Sequence, residues 1–386
     1  MRAIAVKEFR ELRRDRRTLV MLFALPLFFL IVFGYAASFD IKAIPTVVVG
    51  NGAPLAAAAL PETFDVVATE ADGDDASARK ALRHGEAVVA VVTPATAGKA
   101  PQVLLDGTEL FAAQAALRSI AELRAGMTSS GDSGSGGLSG LAGGGAAGKV
   151  SSAQVKILFN PDLRTAVIMI PGLCGIILVF VGTVATALGV VRERQSGTME
   201  QLAVMPFRPR DVFLGKIAPY LVIAAVDMVV VVIVGMLLFD VPFRGSVATF
   251  ALGSILFLFV TLGIGVLISS VSQTQGQAIQ LAMMTMLPQF LLSGLFFPLY
   301  SMPWGVRWIG YLLPLTYFIK VARGVMVRGT PIGALWVPLL VLAIMAVVVF
   351  AASTLRFRRD LAPADAADES SRELPPSAGP VAEATS

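Results

Sequence analysis

The chain has 386 residues, 55% of them hydrophobic and only 15% charged, with a mean hydropathy of +0.75. Soluble domains carry about a quarter charged residues, so this composition excludes a wholly soluble fold and points to an α-helical polytopic membrane protein. The formal net charge of +4 lies in clusters beside apolar runs, and no nucleic-acid partner is expected.

Residues 1–17 read as an amphipathic helix, with Ile4, Val6, Phe9 and Leu12 toward lipid and arginines toward anionic headgroups. Residues 18–39 form the first of six runs of spanning length; the others are 166–191, 213–239, 247–270, 277–297 and 332–355. Each reaches about 20 residues, enough to cross roughly 30 Å of hydrocarbon as a helix. The first run exceeds the core of a cleaved signal peptide, so a retained anchor is expected. Arginines precede the first span, flank 192–216 and follow the last span at Arg356, Arg358 and Arg359. An even number of crossings places all three clusters on one face, which the positive-inside rule makes cytoplasmic, together with both termini. Arg307, Lys320, Arg323 and Arg328 then fall on the outer side with no acidic neighbour in sequence.

Residues 40–165 read as an inserted extracytoplasmic α/β domain. Strands are expected at 47–49, 64–68, 87–92 and 103–105, and helices at 53–60, 76–83 and 109–125, with turn chemistry at Asp106-Gly107. Within it, 128–148 is almost entirely Gly, Ser and Ala and reads as a flexible loop. The run Gly143 to Lys149 matches G-x-x-x-x-G-K, but Val150 stands where the magnesium-binding hydroxyl belongs, and no buried strand precedes it. The carboxylates Glu70, Asp72, Asp74 and Asp75 read as a solvated loop. One cysteine (Cys174) and one histidine (His84) allow neither a disulfide framework nor a Cys/His metal site.

The connector 192–212 is short, charged and capped, unlike a plain turn. Gly197 can end one helix; Thr198 can cap the next with Gln201 at the capping-box position; Leu202, Val204 and Met205 give it an apolar side, and Pro206 stops it. In 298–331, interfacial helices are expected: Ser301 capping the first, with Trp304, Trp308 and Tyr311 on one face, and Thr316 capping a second that ends at Gly329. Residues 356–386 form a cytoplasmic tail, disordered beyond 360. Inside the membrane, Asp227 is costly to bury by about 2.5–3.5 kcal/mol. With Gln280 and Gln289 it is a candidate for a pathway or gate, or for interhelical hydrogen bonds.

The pattern Glu-x-x-x-Gly-Thr-x-Glu-x-Leu-x-x-x-Pro, made here by Glu193, Gly197, Thr198, Glu200, Leu202 and Pro206, resembles the signature of the permease subunits of ABC-2 type exporters. Lys7-Glu8-Phe9, Phe33-Gly34-Tyr35, Asn160-Pro161, Gly215-Lys216 and Leu315-Thr316-Tyr317 also fit, so the likeness covers nearly the whole chain. It is closest to the subgroup with a large outward domain after the first span; the Gly/Ser tract departs from the helical content usual there.

The resemblance implies a transport subunit rather than an enzyme, sited in a bacterial plasma membrane. It would pair with a second copy or a paralogue and dock on a separate cytoplasmic ATPase subunit. That partner would hold ATP-Mg, this chain binding no cofactor directly. The six signature residues would couple ATPase closure to the spans, an extracytoplasmic adaptor is compatible with the outward domain, and the cargo would be a drug, lipid or other amphiphile. An ion-coupled secondary transporter would need more buried ionisable groups than Asp227. A membrane enzyme would need a catalytic set that is not evident.

Overall fold

The structure, a computed structural model, describes residues 43–94, 101–129, 154–195 and 209–360. The expected helix 1–17, the span 18–39, the segment 130–148 of the Gly/Ser loop with the G-x-x-x-x-G-K run, and the tail beyond 360 lie outside the described residues.

Strands β1 (Ile44–Val49), β2 (Phe64–Glu70), β3 (Val89–Val92), β4 (Gln102–Asp106) and β5 (Gln154–Leu158) form one sheet in the order β2-β1-β3-β4-β5. Only β3 and β4 pair antiparallel. Parallel neighbours need a crossover, and α1 (Ala53–Ala58) and α2 (Asp75–His84) supply those from β1 to β2 and β2 to β3. The strand period of two sorts the valines. Val48, Val89, Val91 and Val103 meet α1 and α3 (Leu110–Ser129), whereas Val47, Val49 and Ala90 meet Ala78, Ala81 and Leu82 of α2. This is the α/β layering expected of the region. Asp74 caps α2 by accepting from the Ser77 amide at 2.9 Å, which holds its carboxyl below the usual range. Two boundaries differ from expectation: β5 was not foreseen, and α3 continues to Ser129, through Gly126, with no proline to stop it.

The remaining helices form a bundle. Helix α4 comprises Thr165–Val179, a π-helical stretch Phe180–Ala185 and Thr186–Gln195. Then follow α5 (Pro209–Phe239), α6 (Val247–Val271), α7 (Gln275–Leu292), α8 (Trp304–Leu312), α9 (Pro314–Arg323, prolonged by a π-turn Gly324–Arg328) and α10 (Trp336–Asp360). Among the described residues four helical stretches are long and apolar enough to cross a membrane: Thr165–Arg192, Tyr220–Phe239, Val247–Val271 and Trp336–Arg356. The run expected at 277–297 is instead the 18-residue α7, carrying Gln277, Gln280, Gln289 and Pro288 and ending at Ser293, where Gly294 turns the chain at φ 85°.

Burial separates the four spans. Those of α4 and α6 are each 61% buried, those of α5 and α10 only 17% and 22%, so α4 and α6 form the centre. Their approach needs small residues: a Cβ on Gly265 would sit 2.8 Å from the Thr183 carbonyl oxygen. Helix α9 enters this centre, with Phe318 stacked on Phe257 at 4.4 Å and Leu315, Ile319 and Val321 in the same core. It is therefore no surface helix, whereas α8 does expose Trp304, Trp308 and Tyr311.

The expected caps fall elsewhere. Ser301 donates to Pro298 O in a tight turn and Pro303 precedes α8, while Thr316 donates to Gly310 O at 2.6 Å and α9 already starts at Pro314. Gly329, at φ 65°, does end the segment.

Candidate functional site

Helix α4 leads away from the sheet, and α5 ends beside its start, where Arg164 Nη2 donates to Phe239 O at 3.2 Å. Glu193 lies in the last turns of α4, but its side chain is outside the described residues, as are Gly197, Thr198, Glu200, Leu202 and Pro206 altogether. The turn that feeds the connector is described, and it is clasped to the loop between α6 and α7. Arg194 Nη1 donates to Ser272 O at 3.3 Å, and Gln275 Nε2 donates to Gln195 Oε1 at 2.9 Å. That loop is itself fixed: Ser272 Oγ donates to Ile268 O at 2.7 Å, and Gln277 Oε1 accepts from the Gln273 amide at 3.0 Å. The end of α4 is thus hydrogen-bonded to the loop that joins α6 and α7.

Midway, the π-helical stretch of α4 packs against both α5 and α7. Such stretches mark irregular, often functional, points in helices. Asp227 lies on α5 with one carboxylate oxygen buried and without a hydrogen-bond partner among the described residues. On α7, Gln289 is 1% exposed with neither amide atom partnered, and Gln280 is half-buried. Thr183, in the π-helical stretch, donates to Thr261 O of α6 at 3.3 Å. Two helices bearing unsatisfied polar side chains therefore meet the same irregular segment. The structure gives no direct contact between Asp227 and either glutamine.

The third region was missed by sequence reasoning. Two of the four cations that lacked acidic neighbours, Arg323 and Arg328, find them in the sheet domain, while Arg307 donates to the Met302 and Tyr300 carbonyls. Arg328 Nη2 lies 2.7 Å from Asp106 Oδ2 and 3.6 Å from Glu109 Oε1, and Arg323 Nη1 lies 3.7 Å from the same Glu109 oxygen. Asp106 also accepts from the Thr108 amide at 2.9 Å, the expected turn chemistry, while its other oxygen takes the arginine. Arg323 donates further to Leu295 O at 2.9 Å, Ile168 O at 3.3 Å and Gly294 O at 3.4 Å. Thr330 donates to Arg83 O of α2 at 2.7 Å, and Asn160 holds the Gly107 and Arg164 carbonyls and the Arg164 amide. Segment 323–330 thus ties α2, β4, α3, α4 and the end of α7.

Burial pushes the Glu109 carboxyl above its usual range, against the pull of Arg323 and Arg328. Burial, with Glu109 and Asp106 nearby, raises the Tyr300 phenol well above its usual value. The signal that pointed here was the group of outer arginines left unpaired.

A family model described as "ABC-2 family transporter protein" matches residues 16–355. The chain is 29% identical to "Probable multidrug ABC transporter permease YbhS" of Escherichia coli (strain K12) over 378 residues, 94% of this chain and 97% of that protein. It is 32% identical to "Inner membrane transport permease YhhJ" of the same strain over 213 residues, 54% of this chain and 56% of that one. "ABC transporter G family member 20" of Dictyostelium discoideum is 27% identical over 184 residues, 47% of this chain and 25% of that protein. No solved structure matches.

Proposed function

The chain belongs to the ABC-2 family of transporter proteins, and from that premise we propose that it is the membrane-spanning permease of an ATP-driven exporter, powered by a separate cytoplasmic ATPase subunit and paired with a second permease copy or paralogue. The observation that carries this reading is the clasp of Arg194 and Gln195 on the loop Ser272–Gln275. It joins the end of α4 that feeds the connector to α6 and α7, which a simple turn between α4 and α5 would not require, and on this reading the connector acts on three helices at once. Glu193, Gly197, Thr198, Glu200, Leu202 and Pro206 would form the face that receives the ATPase. Arg192, Arg194 and Arg356 stand at the same end of the bundle, which the positive-inside rule assigns to the cytoplasm. The sheet domain then lies outside the membrane, where an adaptor could meet it. ATP-Mg is held by the partner. The cargo is an amphiphile, drug or lipid, because the spans present apolar surface with few charges.

Purification of the tagged chain from its native membrane should bring down an ATPase polypeptide in stoichiometric amount. Glu200→Ala should abolish ATP-dependent transport while leaving expression and elution unchanged; normal transport by this variant would remove Glu200 from the coupling face. The one buried carboxylate oxygen of Asp227 that has no hydrogen-bond partner among the described residues is what favours the second reading, an ion-coupled transporter. In that case Asp227→Asn would make transport insensitive to the ion gradient, and no ATPase would co-purify.

A further inference from the structure

A cavity of about 360 Å³ opens where the sheet domain meets the bundle, within the roughly 300–1,000 Å³ usual for small-molecule sites. Lys320, Arg323 and Arg328 line it. Two of these cations are already committed: Arg328 to Asp106 and Glu109, Arg323 to Glu109 and three carbonyls. Glu86, also on the wall, lies 3.4 Å from His84.

Lys320 is different. It is exposed and makes no ion pair among the described residues; its Nζ lies over the Tyr317 ring, 5.8 Å from the centroid. Lys320 is thus the lining cation that no carboxylate holds within ion-pair distance, although Glu109, which already serves Arg323 and Arg328, acts on it from the same wall. The Ser293 and Tyr300 hydroxyls on the same wall are buried and without hydrogen-bond partners among the described residues. The apolar part of the wall is Leu335, Val337 and Pro338 at the head of α10. From that rim an exposed stripe runs down the helix through Val337 (46%), Leu340 (49%), Ile344 (53%) and Val348 (59%), spaced as one face of a helix.

We infer that this cavity holds the singly anionic headgroup of a membrane amphiphile, with its hydrocarbon tail lying along the exposed face of α10. The ammonium of Lys320 meets the negative charge, and the two free hydroxyls donate to the headgroup oxygens. The volume accommodates a headgroup rather than a whole lipid, and the stripe lies where the tail must go. The inference needs only that α10 crosses the bilayer; it is independent of the ATPase and of the direction of transport.

The three tryptophans of the chain report on this place: Trp336 lies between the lining residues Leu335 and Val337, and Trp304 and Trp308 lie on α8 with the lining residue Tyr311. The full chain in maltoside micelles is titrated with phosphatidylglycerol or phosphatidylcholine brominated on the acyl chains, and quenching of tryptophan fluorescence is read. The anionic lipid should reach half-maximal quenching at a concentration about fivefold lower, the discrimination that one basic residue near a headgroup supports. Lys320→Gln should erase the difference and Lys320→Arg should keep it, both eluting as the wild type does. Equal quenching by the two lipids, or a preference that survives in Lys320→Gln, overturns the inference. Quenching by neither lipid overturns it too, since a second protein chain would then cover the stripe. Displacement of the brominated lipid by millimolar inorganic phosphate alone would make this a free-anion site and overturn the lipid assignment.

Discussion

Arg323 joins three parts of the chain to α9 through one guanidinium: Ile168 at the start of α4, Gly294 and Leu295 after α7, and Glu109 at the head of α3. Beside it, Arg328 and Asp106 make a pair whose side chains are 12% and 0% exposed. Removing one member of such a pair strands the other charge in a place that water does not reach. Arg328→Ala should therefore cost about 3–5 kcal/mol of stability, read as a lower unfolding midpoint in detergent. Exchange of the pair for two apolar residues should cost much less.

Glu109 adds a pH dependence with a defined sign. Its carboxyl is pushed up by burial, so the folded protein holds that proton more tightly than the unfolded chain does. The corresponding stability is fully present below the unfolded carboxyl pKa of about 4.3 and is lost as pH rises through the raised folded value. The melting temperature of the wild type relative to Glu109→Gln should fall as pH rises across that window; a constant difference would contradict this. None of the pairing was legible in the sequence, because Asp106 and Arg328 stand 222 positions apart. What could be read was the anomaly of outer arginines with no acidic neighbour.

The secondary-structure elements were more legible, because they follow from local periods. The short apolar runs at Val47–Val49 and Val89–Val91 marked buried strands, and the long apolar runs marked α4, α5, α6 and α10. The failures were tertiary. β5 is a short edge strand of five half-polar residues that joins the sheet only because β4 offers it a parallel partner. Helix α9 was read with the aromatic belt of α8 as a second interfacial helix, yet Arg323 is satisfied by backbone carbonyls and the helix is buried on Phe318.

Two predictions belong to this scale. Gly265→Leu should separate α6 from α4, since even a Cβ would meet the Thr183 oxygen at 2.8 Å and Thr186 Cβ at 2.9 Å. The expected result is loss of folded protein on size exclusion, whereas Gly305→Leu, in open space, should elute normally. Gln195→Ala with Gln275→Ala removes two exposed hydrogen bonds, Gln275 to Gln195 and Gln195 to Gln273 O, each worth about 1 kcal/mol at most. Stability should barely change, but ATP-driven transport should fall severalfold if the clasp carries the stroke. An unchanged rate would leave the clasp a local tether.

At the scale of the whole molecule, the sheet domain meets one end of the bundle, and the described end of α4 at Arg194 and Gln195 meets the loop between α6 and α7. The charged junction fastens one end to the sheet, and the clasp fastens the other to α6 and α7. Helices α5 and α10 leave most of their spans uncovered, a surface that lipid or a second permease would occupy. Membrane character and the presence of an α/β insertion were readable from composition and alternation alone. The fixed attachment of that insertion to the bundle was not, since it depends on contacts between α9 and residues near 106.

The account turns on force entering through the connector. The most direct measurement is cross-linking from Thr198→Cys, in a chain whose only native cysteine is replaced by Cys174→Ala, in native membranes with and without ATP. The account predicts a cross-link to an ATPase polypeptide whose yield changes with nucleotide, and modification by a membrane-impermeant maleimide only in inside-out vesicles. Modification in right-side-out vesicles, with no cross-link to any ATPase, would contradict it.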